Sequence, residues 1–118
     1  LGAACYLTRL RSPVTVITVG GVFSSIPGLL LADHVHCLVG SRDRTVRLGP
    51  LMFPGRWPLA PRSAWNKARR RGKVSVIDMG PMIHSGRGDY FTRSVTLEDG
   101  TTYADHTADV VADIINRK

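Results

Sequence analysis

Short runs of alternating or β-branched apolar residues predict several β-strands along the chain. The clearest is V-T-V-I-T-V, residues 14–19, which is β-branched throughout and has the composition of a buried strand. Similar runs predict four more strands, at 35–39, 45–48, 74–77 and 90–97. A D-G dipeptide between alternating runs is typical of a tight hairpin, so a turn at Asp99-Gly100 should lead to a last strand near 101–104.

Two stretches with helical spacing predict helices. The first, 63–71, begins with Ser63 as its N-cap and stops at Gly72, and its last turn is basic, which suits the helix dipole. The second, 107–116, has Thr107 as its N-cap and places its apolar residues on one face that must pack on a sheet. Residues 50–62 contain four of the prolines, which predicts an extended connector and excludes a regular helix.

Together these elements predict the fold class α+β. We expect a β-rich small domain with a short basic helix and a C-terminal amphipathic helix packed on the sheet. A chain of 118 residues is long enough for one core, so residues 1–118 should form a single domain. The content of hydrophobic residues, 43%, excludes wholesale disorder.

Residues 12–32 permit a second interpretation because they contain no charged side chain. Such a run is long enough to cross a bilayer as one helix. Gly20-Gly21, Ser24-Ser25 and Pro27-Gly28 divide it into shorter apolar pieces, which favours strands. The alternative is a single-pass subunit of an organellar membrane complex anchored by residues 12–32. The absence of an initiating Met fits a chain trimmed after import into an organelle.

The charge of the chain is strongly basic and unevenly distributed. The net charge is +7 and the pI is near 10.3, and residues 41–97 contain twelve basic and three acidic side chains. Most of the basic residues are Arg, whose planar guanidinium suits phosphate, although a GC-rich genome gives the same bias. The balance favours an RNA, DNA or anionic-lipid partner.

Residues 42–73 are the candidate nucleic-acid-binding segment. Basic side chains there can contact phosphates without regard to sequence, and an exposed tryptophan can stack on a base. The candidate residues are Arg42, Arg44, Arg47, Arg56, Trp57, Arg62, Lys67, Arg69, Arg70, Arg71 and Lys73.

These features predict a non-enzymatic RNA-binding structural component of a larger nucleoprotein assembly, such as a ribosome-like particle or a viral capsid. Its partners would be nucleic acid, most simply RNA, and neighbouring protein subunits, with a membrane as second choice. The sequence has no phosphate-cradling glycine loop and no nucleotide fingerprint, so we expect no cofactor. We interpret Cys5 and Cys37 as reduced, buried thiols.

The stretch A-D-H-V-H-C-L-V-G, residues 32–40, contains the candidate metal ligands. On a strand, His34 and His36 point to the same face. The stretch resembles the H-hydrophobic-H motif of the HUH family of single-strand nucleases and transposases. That resemblance implies that His34 and His36 bind a divalent metal and that a Tyr on a later helix attacks the phosphate. The predicted last helix contains no Tyr, which leaves the chemistry without a nucleophile.

The same residues admit two further interpretations. G-L-L-L-A-D-H-V is similar to the segment around the catalytic His of trypsin-like proteases, which implies that His34 is a general base. Its orienting acid would be Asp105, Asp109 or Asp113, but no G-x-S-G serine segment follows. The interpretation that we favour is a strand whose two imidazoles face solvent, RNA or a neighbouring chain.

Overall fold

Three parallel strands lie at the centre of the structure, a computed structural model that describes residues 13–117. The strands are β1 (Thr15–Val19), β2 (His34–Val39) and β3 (Val74–Asp78), in the order β1-β2-β3. The helices are α1 (Gly28–Leu31), α2 (Arg44–Leu48), α3 (Ala64–Arg70) and α4 (Tyr103–Asn116). Parallel neighbours need crossover connections, and α1 lies in the first crossover while α2 and α3 lie in the second.

The two faces of the sheet contact different helices because side chains alternate along β2. Val35 and Cys37 are buried on one face, where they pack with the buried Leu29 and Trp65 of α1 and α3. Leu38 is buried on the other face, in a second cluster that includes four residues from the C-terminal part of the chain: Met82, Tyr90, Tyr103 and Ile114. The protein is therefore a small α+β domain whose C-terminal helix packs on a parallel sheet, which confirms the predicted fold class.

The N-caps explain where the two longer helices begin. Ser63 Oγ accepts from the Asn66 N–H at 3.1 Å, which confirms the predicted start of α3. α4 begins earlier than predicted because Thr102, not Thr107, is its N-cap, accepting from the Asp105 N–H at 3.1 Å. Thr107 is buried within α4, and its hydroxyl donates to the Tyr90 carbonyl at 2.7 Å.

Three predicted strands are absent. The one near 101–104 is replaced by the start of α4, because Thr102 caps that helix, and the other two also have local causes. Residues 45–48 lie in α2, because Asp43 caps that helix by accepting from the Val46 N–H at 3.0 Å. In residues 90–97 only Thr96 forms a bridge, antiparallel to Thr102, across the predicted turn. The strand is interrupted at its start because Asp89 accepts from the Phe91 N–H, a side-chain bond that competes with strand pairing.

The alternative of a spanning helix over residues 12–32 is wrong for the part that the structure describes, and the strand that we favoured there is present. That part contains β1 and the short α1 instead, since its β-branched and Gly/Pro positions follow strand and turn preferences. Between residues 13 and 117, every helix is too short or too polar to cross a membrane. Ser12 and Cys5 lie outside the described residues, and Cys37 is buried, as expected.

The proline-rich connector is more folded than predicted. Residues 50–62 overlap two short 3-10 helices, Gly49–Met52 and Pro54–Arg56. Proline at the first turn is compatible with such helices because it already has a helical φ angle. The connector is therefore a chain of tight turns, and the expected absence of a regular α-helix holds.

Candidate nucleic-acid interface

Asp43 lies in the turn between β2 and α2, at the carboxyl end of the sheet, and its side chain points into the protein. It has no solvent exposure. Its Oδ1 accepts from the Val46 N–H at 3.0 Å, and its Oδ2 accepts from the Tyr90 hydroxyl at 2.6 Å and lies 3.2 Å from His84 Nδ1. The carboxylate is therefore surrounded by donors from three segments.

These donors change the acidity of the buried groups. Burial by itself would raise the pKa of Asp43, but the hydrogen bonds from Tyr90, Val46 and His84 outweigh it, so the pKa lies below its usual value. Burial and the neighbouring carboxylate raise the pKa of Tyr90. Asp43 is thus held as an anion and Tyr90 as a neutral donor at neutral pH.

The inward direction of Asp43 leaves its basic neighbours on the outside. Arg42, Arg44 and Arg47 are exposed and line one hollow of about 620 Å³, together with Ser41 and Leu48. We call this the arginine hollow. Arg47 is held over it because its Nη1 donates to the Ser41 carbonyl at 3.0 Å. The hollow thus brings together three of the residues that the sequence predicted for nucleic-acid binding.

Carboxylates do not neutralise these arginines within the described range. Among residues 13–117, the one basic side chain within 4.0 Å of a carboxylate is His84, beside Asp43. No carboxylate lines the arginine hollow. The three guanidinium groups therefore present uncompensated positive charge to solvent.

The predicted residues of α3 form a second basic surface. Arg69, Arg70 and Arg71 are exposed at the end of the helix, while Lys67 is partly buried. Arg70 Nη2 donates to the Pro61 carbonyl at 2.6 Å, which fixes its direction. Arg62, just before the helix, is also exposed.

Two predicted residues have internal contacts instead. The Arg56 guanidinium carbon lies 3.6 Å from the centroid of the Trp65 ring and 4.8 Å from that of Phe23. Its Nη1 donates to the Phe23 carbonyl at 2.7 Å, and burial lowers its pKa. Lys73 Nζ donates to the Leu30 and Ala32 carbonyls at the end of α1. We therefore exclude Arg56 and Lys73 from the interface.

Trp57 keeps part of its indole in solvent. Its side chain is at the surface with 40% of the residue exposed, and its Nε1 donates to the Leu51 carbonyl at 3.2 Å. The hydrogen bond therefore fixes the direction of a partly exposed ring, and an exposed aromatic ring is what stacking on a base requires.

The two strand histidines share one face, as predicted, with ring centroids 4.4 Å apart. His34 Nε2 contacts Ser75 Oγ at 2.7 Å, and burial together with the nearby His34 and Arg117 lowers the pKa of His36. Within residues 13–117 no third His, Cys, Asp or Glu joins them in a group that could hold a metal ion. The two imidazoles therefore form a half-buried pair on one face of β2.

Each of the two family resemblances implies a further residue that acts with His34: a Tyr on the last helix, or an aspartate of that helix. Tyr103 is the first residue of α4, contrary to the prediction that the last helix has no Tyr, but it is 6% exposed and packs in the core with Leu38. The side chain that contacts His34 is Ser75, not one of the α4 aspartates that the protease resemblance implied. In residues 13–117 the His34 side chain therefore has no carboxylate within hydrogen-bond distance, and the hydroxyl bonded to it belongs to Ser75 rather than to a helical Tyr.

The sequence did not predict the network of Asp43, His84 and Tyr90. Its one signal was an acidic residue between two arginines in R-D-R, which can be a helix N-cap as readily as a surface charge.

Comparison with known proteins gives no further guide, because no family model, curated protein or solved structure matches the chain.

Proposed function

We propose that the protein binds RNA through the arginine hollow, as a non-enzymatic structural component of a larger nucleoprotein assembly. The observation that carries the proposal is the inward direction of Asp43, which leaves Arg42, Arg44 and Arg47 around one hollow without a counter-charge. Guanidinium groups form paired hydrogen bonds with phosphate, and a cluster of them gives affinity that is independent of base sequence.

The exposed arginines of α3 and the indole of Trp57 add to this proposal. Arg69, Arg70 and Arg71 supply further phosphate contacts, and Trp57 supplies a stacking face for an unpaired base. Single-stranded or looped RNA fits this combination better than a regular duplex, whose bases are already stacked.

Neighbouring protein subunits are the second class of partner in the proposal. In the described range, β1 and β3 each pair on one side only, so the sheet has two open edges. Val76 on β3 is 61% exposed. An open edge with an exposed apolar side chain is a common site for pairing with another chain.

The test is the affinity for a generic single-stranded RNA, measured over a series of salt concentrations. We expect log Kd to change with log salt with a slope of several units, because each neutralised phosphate of a single strand contributes about 0.7. Replacing Arg42, Arg44 and Arg47 together by Gln should reduce the slope by about 2.

The matched control replaces three other exposed arginines, Arg87, Arg93 and Arg117, by Gln. It removes the same net charge but leaves the arginine hollow intact, so its slope should stay near that of the wild type. A flat slope for the wild type, or equal losses in both triple variants, would contradict the proposal.

A further inference from the structure

Large apolar side chains are exposed in the segment that follows the arginine hollow. Their exposed fractions are 57% for Leu48, 64% for Leu51, 81% for Met52, 40% for Trp57 and 89% for Leu59. We call these five residues the apolar ridge. Single exposed apolar residues are common on protein surfaces, but five within twelve positions are a concentration that is typical of a binding site.

The ridge is held in a defined shape by tight turns. The Phe53 N–H donates to the Pro50 carbonyl at 3.0 Å, and the Trp57 N–H donates to the Pro54 carbonyl at 3.1 Å. Asn66 of α3 donates to the Trp57 carbonyl at 2.8 Å, which attaches the segment to the helix. The backbone that carries these apolar side chains is therefore already ordered, so binding costs little additional backbone conformational entropy.

The charge around the ridge has one sign. Residues 44–77 contain nine Lys or Arg and no Asp or Glu. Leu48 lines the arginine hollow beside Arg44 and Arg47, so the ridge and the basic surface are continuous there. A surface that combines exposed Leu, Met and Trp with uncompensated arginines is complementary to an anionic bilayer, which offers phosphate at its surface and hydrocarbon beneath.

We propose that the apolar ridge inserts into the interface of an anionic lipid bilayer while the neighbouring arginines contact the lipid phosphates. RNA does not account for the ridge, because aliphatic Leu and Met side chains offer bases neither a stacking face nor hydrogen bonds. Trp57 adds a partly exposed indole to this surface, the side chain that is enriched at membrane–water interfaces.

The test is co-sedimentation of the full chain with vesicles of phosphatidylcholine and phosphatidylglycerol in equal amounts. Binding should be strong at low salt and weak to vesicles of phosphatidylcholine alone, since the surface potential supplies part of the attraction. The Trp57 emission should move to shorter wavelength on binding, and the Trp57→Phe variant should lose that change, because Trp65 is already buried.

The deciding variant replaces Leu51, Met52 and Leu59 together by Ser. The partition coefficient should fall by about tenfold or more, because the inserted apolar area is lost. Its matched control replaces Phe91 and Ile115 by Ser; these residues are 66% and 57% exposed but lie outside the ridge. All of these side chains face solvent, so thermal unfolding should show that both variants remain folded.

The outcomes separate this inference from the proposed RNA binding. The Ser variant should keep the wild-type affinity for RNA while it loses the bilayer, whereas loss of the three hollow arginines should weaken both. Absence of vesicle binding, or equal binding by the Ser variant and the wild type, would overturn the inference. Two other results would also overturn it: parallel loss of RNA affinity in the Ser variant, or a self-association of the wild type that the Ser variant abolishes.

Discussion

Arginines from the same basic segment lie in opposite surroundings, as a comparison of Arg56 with the arginine hollow shows. Arg56 lies between the Phe23 and Trp65 rings and donates to a backbone carbonyl. Arg44 and Arg47, in contrast, project from α2 with no carboxylate beside them. The difference is what surrounds each side chain: two aromatic rings lie beside the Arg56 guanidinium, whereas Arg44 and Arg47 are exposed to solvent.

In residues 13–117, neither Arg56 nor the arginines of the hollow have a carboxylate within 4.0 Å, but the reasons differ. Arg56 is stabilised by ring faces and a carbonyl dipole, which need no counter-charge. The hollow lacks a counter-charge because Asp43 is bonded inside the protein. The basic segment therefore contains both arginines that pack inside the protein and arginines that are exposed to solvent, and stability and binding measurements should separate the two.

The largest expected effect is on the inward-facing carboxylate. Asp43→Ala removes the N-cap of α2 and leaves the Tyr90 hydroxyl without its acceptor, so the free energy of unfolding should fall by about 3 kcal/mol. Urea unfolding measures this loss. Asp78→Ala is the control, because Asp78 is exposed and accepts only from the nearby Gly80 N–H; an equal loss in both variants would contradict the central role of Asp43.

The substitution of Arg by Gln should have opposite effects in the two regions, on stability for Arg56 and on RNA binding for Arg47. Arg56→Gln should lower the free energy of unfolding by about 2 kcal/mol, because it loses the ring contacts, and it should leave the salt dependence of RNA binding unchanged. Arg47→Gln should change stability by less than about 0.5 kcal/mol and reduce the RNA slope by about 0.7. Equal effects of the two substitutions on both measurements would remove the distinction.

Acid should weaken the network around Asp43. Its pKa in the folded protein lies below the unfolded value of about 3.9, so its contribution to stability is present above that value and is lost as the pH falls through the folded pKa. The urea midpoint should therefore fall more steeply below about pH 4 in the wild type than in Asp43→Asn. Parallel pH curves would show that the carboxylate contributes nothing.

A smaller loss of stability than for Arg56 is expected at Lys73, the second basic residue with internal contacts. Lys73→Met removes two hydrogen bonds to the carbonyls at the end of α1 and should cost about 1 kcal/mol of stability. RNA affinity should not change. Lys67→Met is the control for loss of one positive charge, and a weaker RNA affinity for Lys73→Met alone would return Lys73 to the interface.

Local patterns predicted the elements whose signals lie within a few residues. Three features were predicted correctly in this way: the β-branched run of β1, the alternation of buried and half-buried residues along β2, and the Ser63 cap of α3. Where two signals of similar strength competed, the prediction was wrong. The apolar residues of T-V-R-L suggested a strand, but Asp43 at the preceding cap position made the segment helical, because a capped first turn needs no partner strand.

The sequence by itself determined that this chain combines strands with a short basic helix, an amphipathic C-terminal helix and a basic middle third, because periodicity, caps and net charge are local or additive properties. The parallel order of the strands came only from the tertiary structure. The tertiary structure alone decided which basic residues are free. Phe23, Arg56 and Trp65 meet only after folding, and Asp43 turns inward only because Tyr90 and His84, more than forty residues away, supply its donors. Contacts over such separations depend on the packing of the whole chain, which no short stretch of sequence encodes.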